Sequence, residues 1–463
     1  MSTVLVWFKN DLRLHDNEAL HRAMATGMPV ILFYCIDHEL FSKEVLNFKK
    51  AGTIRKTFLL QSLQDLRNNF KKYGANILIK EGNPVDELVK IVKENGVTQV
   101  FCESEYAPEE LQMQETARAR VQQLDCQLQD YWGKTLYHID DLPYTIPEIP
   151  QTSKAYRINT SKKAQVRPEF PVPEQFNSFQ LDEYGFDLDS SIDSSDVNAG
   201  PYVVGGETAA LDRLNYYTHE SQLLTNYKWT RNRSLGMDYS SKLSPYMALG
   251  CISPRRVYFQ VKDYESQIKR NISTWWLVFE VVWRDFFTFK SMKVGNAMFF
   301  TQGFTKKERE FTKQYSLFEA WCNGTTGIPF IDAHMRQLNQ TGYMSNRGRV
   351  NCSSFLVFDL KIDWTWGAAY FESQLIDYDV TSNWMNWHNQ AYQTWYTNPI
   401  NQSLKYKAAD YIKRWIPELD EIEDERIYIP WVLKRELMNY PAPVVMYDKW
   451  NRAINKILKA ALE

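Results

Sequence analysis

Over the first 131 residues, short apolar runs of strand length alternate with amphipathic stretches. VLVWF (4–8), PVILFYCI (29–36), ANILIK (75–80) and TQVFC (98–102) are continuous runs rich in β-branched and aromatic residues. Each is flanked by stretches such as AGTIRKTFLLQSLQDLRNNFKKYG and PVDELVKIVKENG, whose apolar positions recur at helical spacing. A strand that is apolar throughout has both faces covered, so the pattern predicts an α/β unit, a parallel sheet with helices on both sides. CQLQDY (126–131) supplies a fifth strand. No G-x-G-x-x-G follows the first strand, so the usual dinucleotide fingerprint is absent.

The pattern changes near Leu142, where PYTIPEIPQTSKAYR, RPEFPVPEQF and the acidic, Ser-rich LDEYGFDLDSSIDSSDVNAG follow one another. Prolines and charges leave little to bury there, and residues 132–200 read as an interdomain connector on the surface. Beyond it helical periodicity dominates, in GETAALDRLNYYTHESQLLTNY, TWWLVFEVVWRDFFTFKSMK and WGAAYFESQLI among others. The organisation expected is therefore an α/β domain at 1–131, the connector, and a mostly α domain at 201–463. NRAINKILKAALE reads as a last amphipathic helix, with no long extension after it.

Composition is that of a globular protein, with 44% hydrophobic and 24% charged residues. The apolar run at the N-terminus is broken by Lys9 and Asp11, too short for a secretory or membrane segment, so a cytoplasmic protein without membrane attachment is expected. Cys35, Cys102, Cys126, Cys251, Cys322 and Cys352 form no C-x-x-C pair and no zinc spacing, which argues against a metal site and for buried thiols. Residues 1–200 carry 22 Lys and Arg against 29 Asp and Glu, while 201–463 carry 32 against 27. A polyanionic partner would accordingly meet the second half, which also holds 13 of the 15 tryptophans.

Five segments in order, WFKNDLRLHDNEAL (7–20), YSSKLSPYMALGCISPR (239–255), VVWRDFF (281–287), TGIPFIDAHMRQLNQTGYMSNRGRV (326–350) and LIDYDVTSNWMNW (375–387), resemble the cryptochrome/photolyase flavoproteins. WGKTLYHIDDLPY, YKWTRNRSLGMDYSSKLSP and SNRGR are similar to the DASH-type members in particular. The resemblance implies noncovalent FAD in the helical domain. A Ser-rich turn before a proline is by itself a helix N-cap, but the resemblance assigns Ser240, Ser241, Lys242, Leu243 and Ser244 to the cofactor, with Tyr227. Arg284 beside Asp285 would by default be a core ion pair; the resemblance turns it toward FAD. It likewise places Asn346, Arg349, Asp377 and Asp379 around the cofactor and Asn383 at the flavin N5 edge. A purely structural ion pair of Arg349 and Asp377 stays open, since a buried carboxylate needs such a partner.

The chemistry implied is light-driven electron donation from reduced FAD to a cyclobutane pyrimidine dimer, acting on single-stranded or damaged DNA as a monomer. Glu280, Trp283, Asn346 and Arg347 are the implied lesion contacts and Arg231 a backbone contact. Glu280 also stands out unaided, because a carboxylate inside TWWLVFEVVW needs a partner or a function. Trp387 and Trp364 match the proximal and middle tryptophans of the electron relay, and each could equally be helix packing. Glu109 matches the glutamate of relatives that bind a 5,10-methenyltetrahydrofolate antenna. Four positions depart from the pattern: Asn389 where an aromatic is usual, Val350 on the lesion face, Phe311 in place of the distal tryptophan, and Pro108 before Glu109. Three readings remain, a DASH-type photolyase, a blue-light receptor without repair, and a light-independent single-strand binder that keeps flavin structurally.

Overall fold

A computed structural model describes residues 2–188, 200–305, 307–433 and 439–462 of the chain. Strands β1 (Thr3–Phe8), β2 (Val30–Asp37), β5 (Ile77–Gly82), β6 (Val97–Glu103) and β7 (Gln127–Tyr131) form one parallel sheet in the order β5-β2-β1-β6-β7, and β3 (Glu44–Val45) and β4 (Phe48–Lys49) form a small hairpin. The sheet is the one expected from the apolar runs; the hairpin, two residues a side, is too short to leave a periodic signal.

Alternation along the strands explains why they are apolar throughout. Val4, Val6 and Phe8 pack with Phe58, Leu63 and Phe70 on one side of the sheet, and Leu5 and Trp7 with Leu88, Val92 and Val121 on the other. Each such side chain contributes about 1.5–3 kcal/mol on burial. Local chemistry sets the helix ends. Asn83 caps Pro84–Asn95 by accepting from the amides of Val85 and Asp86, and Gly96 ends the helix at φ 60°, a conformation that glycine adopts without a Cβ penalty.

The second half is helical around Ile272–Val294, a 23-residue helix capped by Asn271, which accepts from the amides of Ser273 and Thr274. Its far core buries Trp321, Trp364, Trp387 and Trp450, which accounts for much of the indole excess. The near core is continuous with the sheet, joining Val4 and Phe8 to Phe286, Phe289 and Met385.

Polar groups clasp the halves through the loop after β1. Asp16 pairs with Arg255 at 2.6 Å with both side chains buried, and Glu207 accepts the amides of Leu14 and His15, each at 3.0 Å. Leu12 donates its amide to the Leu249 carbonyl, and a Cβ on Gly250 (φ 64°) would lie 2.1 Å from the Asn10 carbonyl oxygen, so only glycine permits this approach.

The connector differs from expectation. It contains the helix Ser153–Lys163, capped by Thr152, which buries Tyr156 against Phe286 and Phe289. Farther on, Ser178 bridges Val30 and Gly185 bridges Ile79, so the chain returns across the sheet domain. Scattered apolar residues such as Ile149, Tyr156 and Phe176 anchor this polar, proline-rich stretch, contacts that local periodicity cannot register. The rest of the Ser-rich stretch, 189–199, lies outside the described residues. No helix of the described residues is long and apolar enough to cross a membrane.

Removing one partner of a buried ion pair strands the other. Arg255→Met is expected to cost about 3–5 kcal/mol in denaturant-induced unfolding, and Asp16→Asn with Arg255→Met less than the sum of the two single changes.

Candidate functional site

The turn before the short helix Ser244–Ala248 is built around a buried lysine. Lys242 adopts φ 60°, uncommon for a residue with a Cβ, and its Nζ lies 3.1 Å from the ring centre of Tyr239 and 4.9 Å from that of Tyr343. The side chain is buried and Nζ has no hydrogen-bond acceptor. Burial, reinforced by Arg213 and Arg349, pushes this ammonium down to about 6. Arg213 holds the turn by donating to the carbonyls of Met237, Ser240 and Ser241 and pairing with Asp238 at 3.1 Å. Nothing in the sequence marked Arg213, whose partners are backbone oxygens 24 to 28 residues away.

Ser244 does not cap its helix. Its hydroxyl donates to Asp377 Oδ2 at 2.7 Å, and Arg349 donates to the same oxygen at 2.7 Å, while Asp377 Oδ1 is buried without a donor. Among the described residues the cradle thus presents an ammonium without a hydrogen-bond acceptor and a carboxylate oxygen without a donor. Buried polar groups are seldom left so, and the pair fits a ligand carrying both a diphosphate and hydrogen-bond donors. Leu243 is buried in the turn, and Asn383 is buried with its amide nitrogen donating to the Ala368 carbonyl at 2.9 Å.

A second network surrounds Glu280. Tyr227 donates to Oε2 at 2.5 Å, and Arg231 and the Trp276 indole nitrogen donate to Oε1 at 2.7 and 3.2 Å. The carboxylate in the apolar run is therefore matched and half-exposed, at the rim of the helix that also carries Trp283. Trp283 lines an open cavity of about 480 Å³ with Lys290, Phe304, Met385, His388, Asn389 and Gln393. Asn389 stands in the wall of this cavity, so the missing aromatic corresponds to real space. Of the polar and aromatic residues that follow, Gln393 lines the cavity, Tyr392 turns away to the Thr301 carbonyl, and Trp395 points outward at 80% exposure. Arg347 donates to Asn232, and Asn346 is exposed at the start of Asn346–Ser354.

Arg284 pairs with Asp379 at 3.1 Å and donates to the Lys134 carbonyl, and both side chains line a narrow crevice between the halves. Burial by itself would raise the Asp379 carboxyl, but Arg284 and the bonds from Ser382 and Thr381 hold it below the usual carboxylate range. The crevice opens at the carboxyl ends of β1 and β6, where the strand order reverses, the place where open α/β sheets bind ligands. Glu109 is not in it: its side chain is 71% exposed and paired with Lys50. The neighbouring Glu110 faces the crevice, and burial together with Glu105 pushes its carboxyl up to about 7. The substitution of one glutamate for the next follows from helical geometry, which turns adjacent side chains about 100° apart.

In the aromatic core Trp387 abuts Trp321 and Phe371, with ring centres 6.0 and 5.0 Å apart, while Trp364 abuts Trp384 at 6.0 Å and His388 at 5.8 Å. Phe311 is half-buried, and Tyr315 meets solvent beside Trp366.

A helical turn with an unmatched buried lysine and carboxylate oxygen, beside a parallel sheet with a crevice at its switch point, is an arrangement that suits a nucleotide ligand. Family models agree with both halves: residues 4–174 match DNA photolyase and 276–460 match the FAD binding domain of DNA photolyase. Cryptochrome DASH of Xenopus laevis is 39% identical, over 98% of this chain and 91% of that protein. The crystal structure of a Synechocystis cryptochrome superposes with a TM-score of 0.92 at 39% identity, covering 99% of each chain. An archaeal photolyase from Sulfolobus tokodaii, solved with two FAD molecules, gives 0.78 at 26% identity, covering 99% of each chain. The chain belongs to the cryptochrome/photolyase family, on its DASH-type branch, and its cofactor is FAD.

With Lys242 at the diphosphate, cofactor binding would be linked to proton uptake. Burial and the neighbouring Arg213 and Arg349 outweigh Asp238 and Asp377, so an ammonium pushed down to about 6 is largely neutral at pH 7.5, and a diphosphate would restore its affinity for the proton. Protons are thus taken up on binding, and FAD affinity falls as pH rises through the window above 6. Calorimetric titration of the apoprotein in buffers of differing ionisation enthalpy should give an uptake approaching one proton per FAD at pH 7.5, and Lys242→Met should bind more weakly with almost none.

Proposed function

We propose that this chain is a light-dependent deoxyribodipyrimidine photolyase of DASH type, which repairs cyclobutane pyrimidine dimers, preferentially in single-stranded DNA. The observation that carries the reading is the half-exposed Glu280 carboxylate, held by Tyr227, Arg231 and Trp276 three residues before Trp283 on the same helix. Bound FAD supplies light absorption and the electron that splits the dimer. The chain's own residues orient and exclude water. Ser240, Ser241, Lys242, Leu243 and Ser244 would hold the diphosphate side of FAD, with Asp377 and Arg349 deeper in the cradle and Asn383 near the ring. Trp283 would stack on one base of an extruded dimer and Glu280 would take a hydrogen bond from its edge. Extrusion costs least when the strand is already unpaired, which favours single-stranded substrate.

The open space at Asn389 and the aliphatic Val350 favour a second reading, a blue-light photoreceptor that binds dimers too weakly to repair them. In either case an antenna pigment in the interdomain crevice would meet Glu110 and the Arg284–Asp379 pair instead of Glu109.

Repair measured on matched single- and double-stranded oligonucleotides separates the two. Conversion confined to single strands is expected, and Glu280→Gln should slow it about 10- to 100-fold, the equivalent of a charged hydrogen bond. Asn389→Tyr should tighten dimer binding by about 1–3 kcal/mol through the restored stacking wall. A flavin that photoreduces and reoxidises normally while neither substrate is repaired would leave the photoreceptor.

A further inference from the structure

Outside the cavity, the start of Ile272–Val294 carries aromatics that the fold leaves at the surface. Phe279 follows Trp275 and Trp276 by four and three residues and Trp283 follows Phe279 by four, so the rings share one side of the helix. Their rings touch in series: Trp275 lies 5.2 Å from Phe279 with the planes 24° apart, Trp276 lies 5.3 Å from Phe279, and Phe279 lies 5.7 Å from Trp283. Trp229 extends the strip from the neighbouring helix Tyr227–Thr230 and is 69% exposed, and Trp275 is 40% exposed.

Cations are interleaved with these rings. Lys228 Nζ sits between Trp229 and Trp276, 4.9 and 5.3 Å from their centres, and Arg231 lies 4.6 Å over Trp276. From the connector helix, Arg157 covers Trp275 and Phe279 at 5.3 and 5.4 Å. Cation–π contact is worth only about 0.5–1 kcal/mol at exposed sites, too little to explain why two indoles remain in water. Indole faces alternating with positive charge are the means by which proteins hold unpaired strands, the rings taking bases and the cations taking phosphates. A duplex hides its base faces and has no use for such rings.

The strip also runs into the proposed lesion site, because the Trp276 indole donates to Glu280 and Arg231 pairs with the same carboxylate. Eight residues of helix separate Trp283 from Trp275, about 12 Å, the length of about three stacked bases at 3.4 Å each.

We infer that Trp229, Trp275, Trp276 and Phe279, with Lys228 and Arg157, form a platform for undamaged nucleotides flanking the dimer in single-stranded DNA. The position of the lesion on this track rests on the photolyase reading; the platform itself predicts strand binding that needs neither lesion nor light.

The test is fluorescence anisotropy of the FAD-loaded protein with a labelled, undamaged oligo-dT and with a duplex of equal length. Trp229→Ala and Trp275→Ala should each weaken single-strand binding about 5-fold or more, as loss of one base–aromatic stack requires, with duplex binding changed less than 2-fold. Trp275→Phe should recover most of the loss, and Trp395→Ala, an exposed indole elsewhere, should have no effect. Lys228→Ala should reduce the slope of log affinity against log salt by about one, and the tryptophan changes should leave it unaltered. Unchanged oligo-dT affinity in both tryptophan variants overturns the platform, as does an equal loss on duplex or the absence of single-strand binding in the unaltered protein. If dimer repair is absent but these losses are found, the platform stands and the photolyase reading falls; if repair is intact and the variants bind oligo-dT normally, the reverse holds.

Discussion

Everything in this molecule is referred to the buried loop that follows β1. It carries Lys9, Arg13, His15 and Asp16 into a buried interface, where charge is tolerated only if each group meets a partner. Arg255 and Glu207 from the helical half, and Glu103 and Glu105 from the sheet, provide those partners. Because they come from distant stretches of chain, satisfying the loop fixes how the two halves sit. The crevice over the sheet and the cradle in the helices then have fixed walls.

The cradle reverses that logic. Lys242 and the free oxygen of Asp377 are buried without a match, which costs stability in the isolated chain, and the mismatch is relieved by a ligand of complementary pattern. Arg213 maintains the turn that holds Lys242 in its unusual backbone conformation, so the preparation for an anion is mechanical as well as electrostatic. Glu280 lies between these extremes. Three donors satisfy it, one of its sides remains open to solvent, and it can exchange a partner for a base edge at little cost.

The aromatic residues divide by the same criterion of what covers them. Trp321, Trp364 and Trp450 are sealed in the core of the helical domain and carry its packing. Trp283 borders a cavity, and Trp229 and Trp275 face water among cations. One composition signal, tryptophan concentrated after residue 200, therefore contains structural, pocket and surface roles that no count can separate.

Periodicity alone determined the parallel sheet, its flanking helices and the change to a helical second half, because strands covered on both faces and amphipathic helices each leave a regular mark. Motif similarity pointed to the family, since closely spaced segments such as SSKLS and LIDYD keep their order, and it supplied the residues now proposed for the cradle and the Glu280 site. What the sequence left undetermined were contacts made by single side chains across long separations. Tyr156 anchors a connector that looks polar, Arg213 reaches backbone oxygens, Arg284 turns to Asp379, and Glu110, one position past Glu109, faces the crevice. Each depends on the direction of one side chain in three dimensions. That direction is set by the packing of elements far apart in the chain, and no local pattern encodes it.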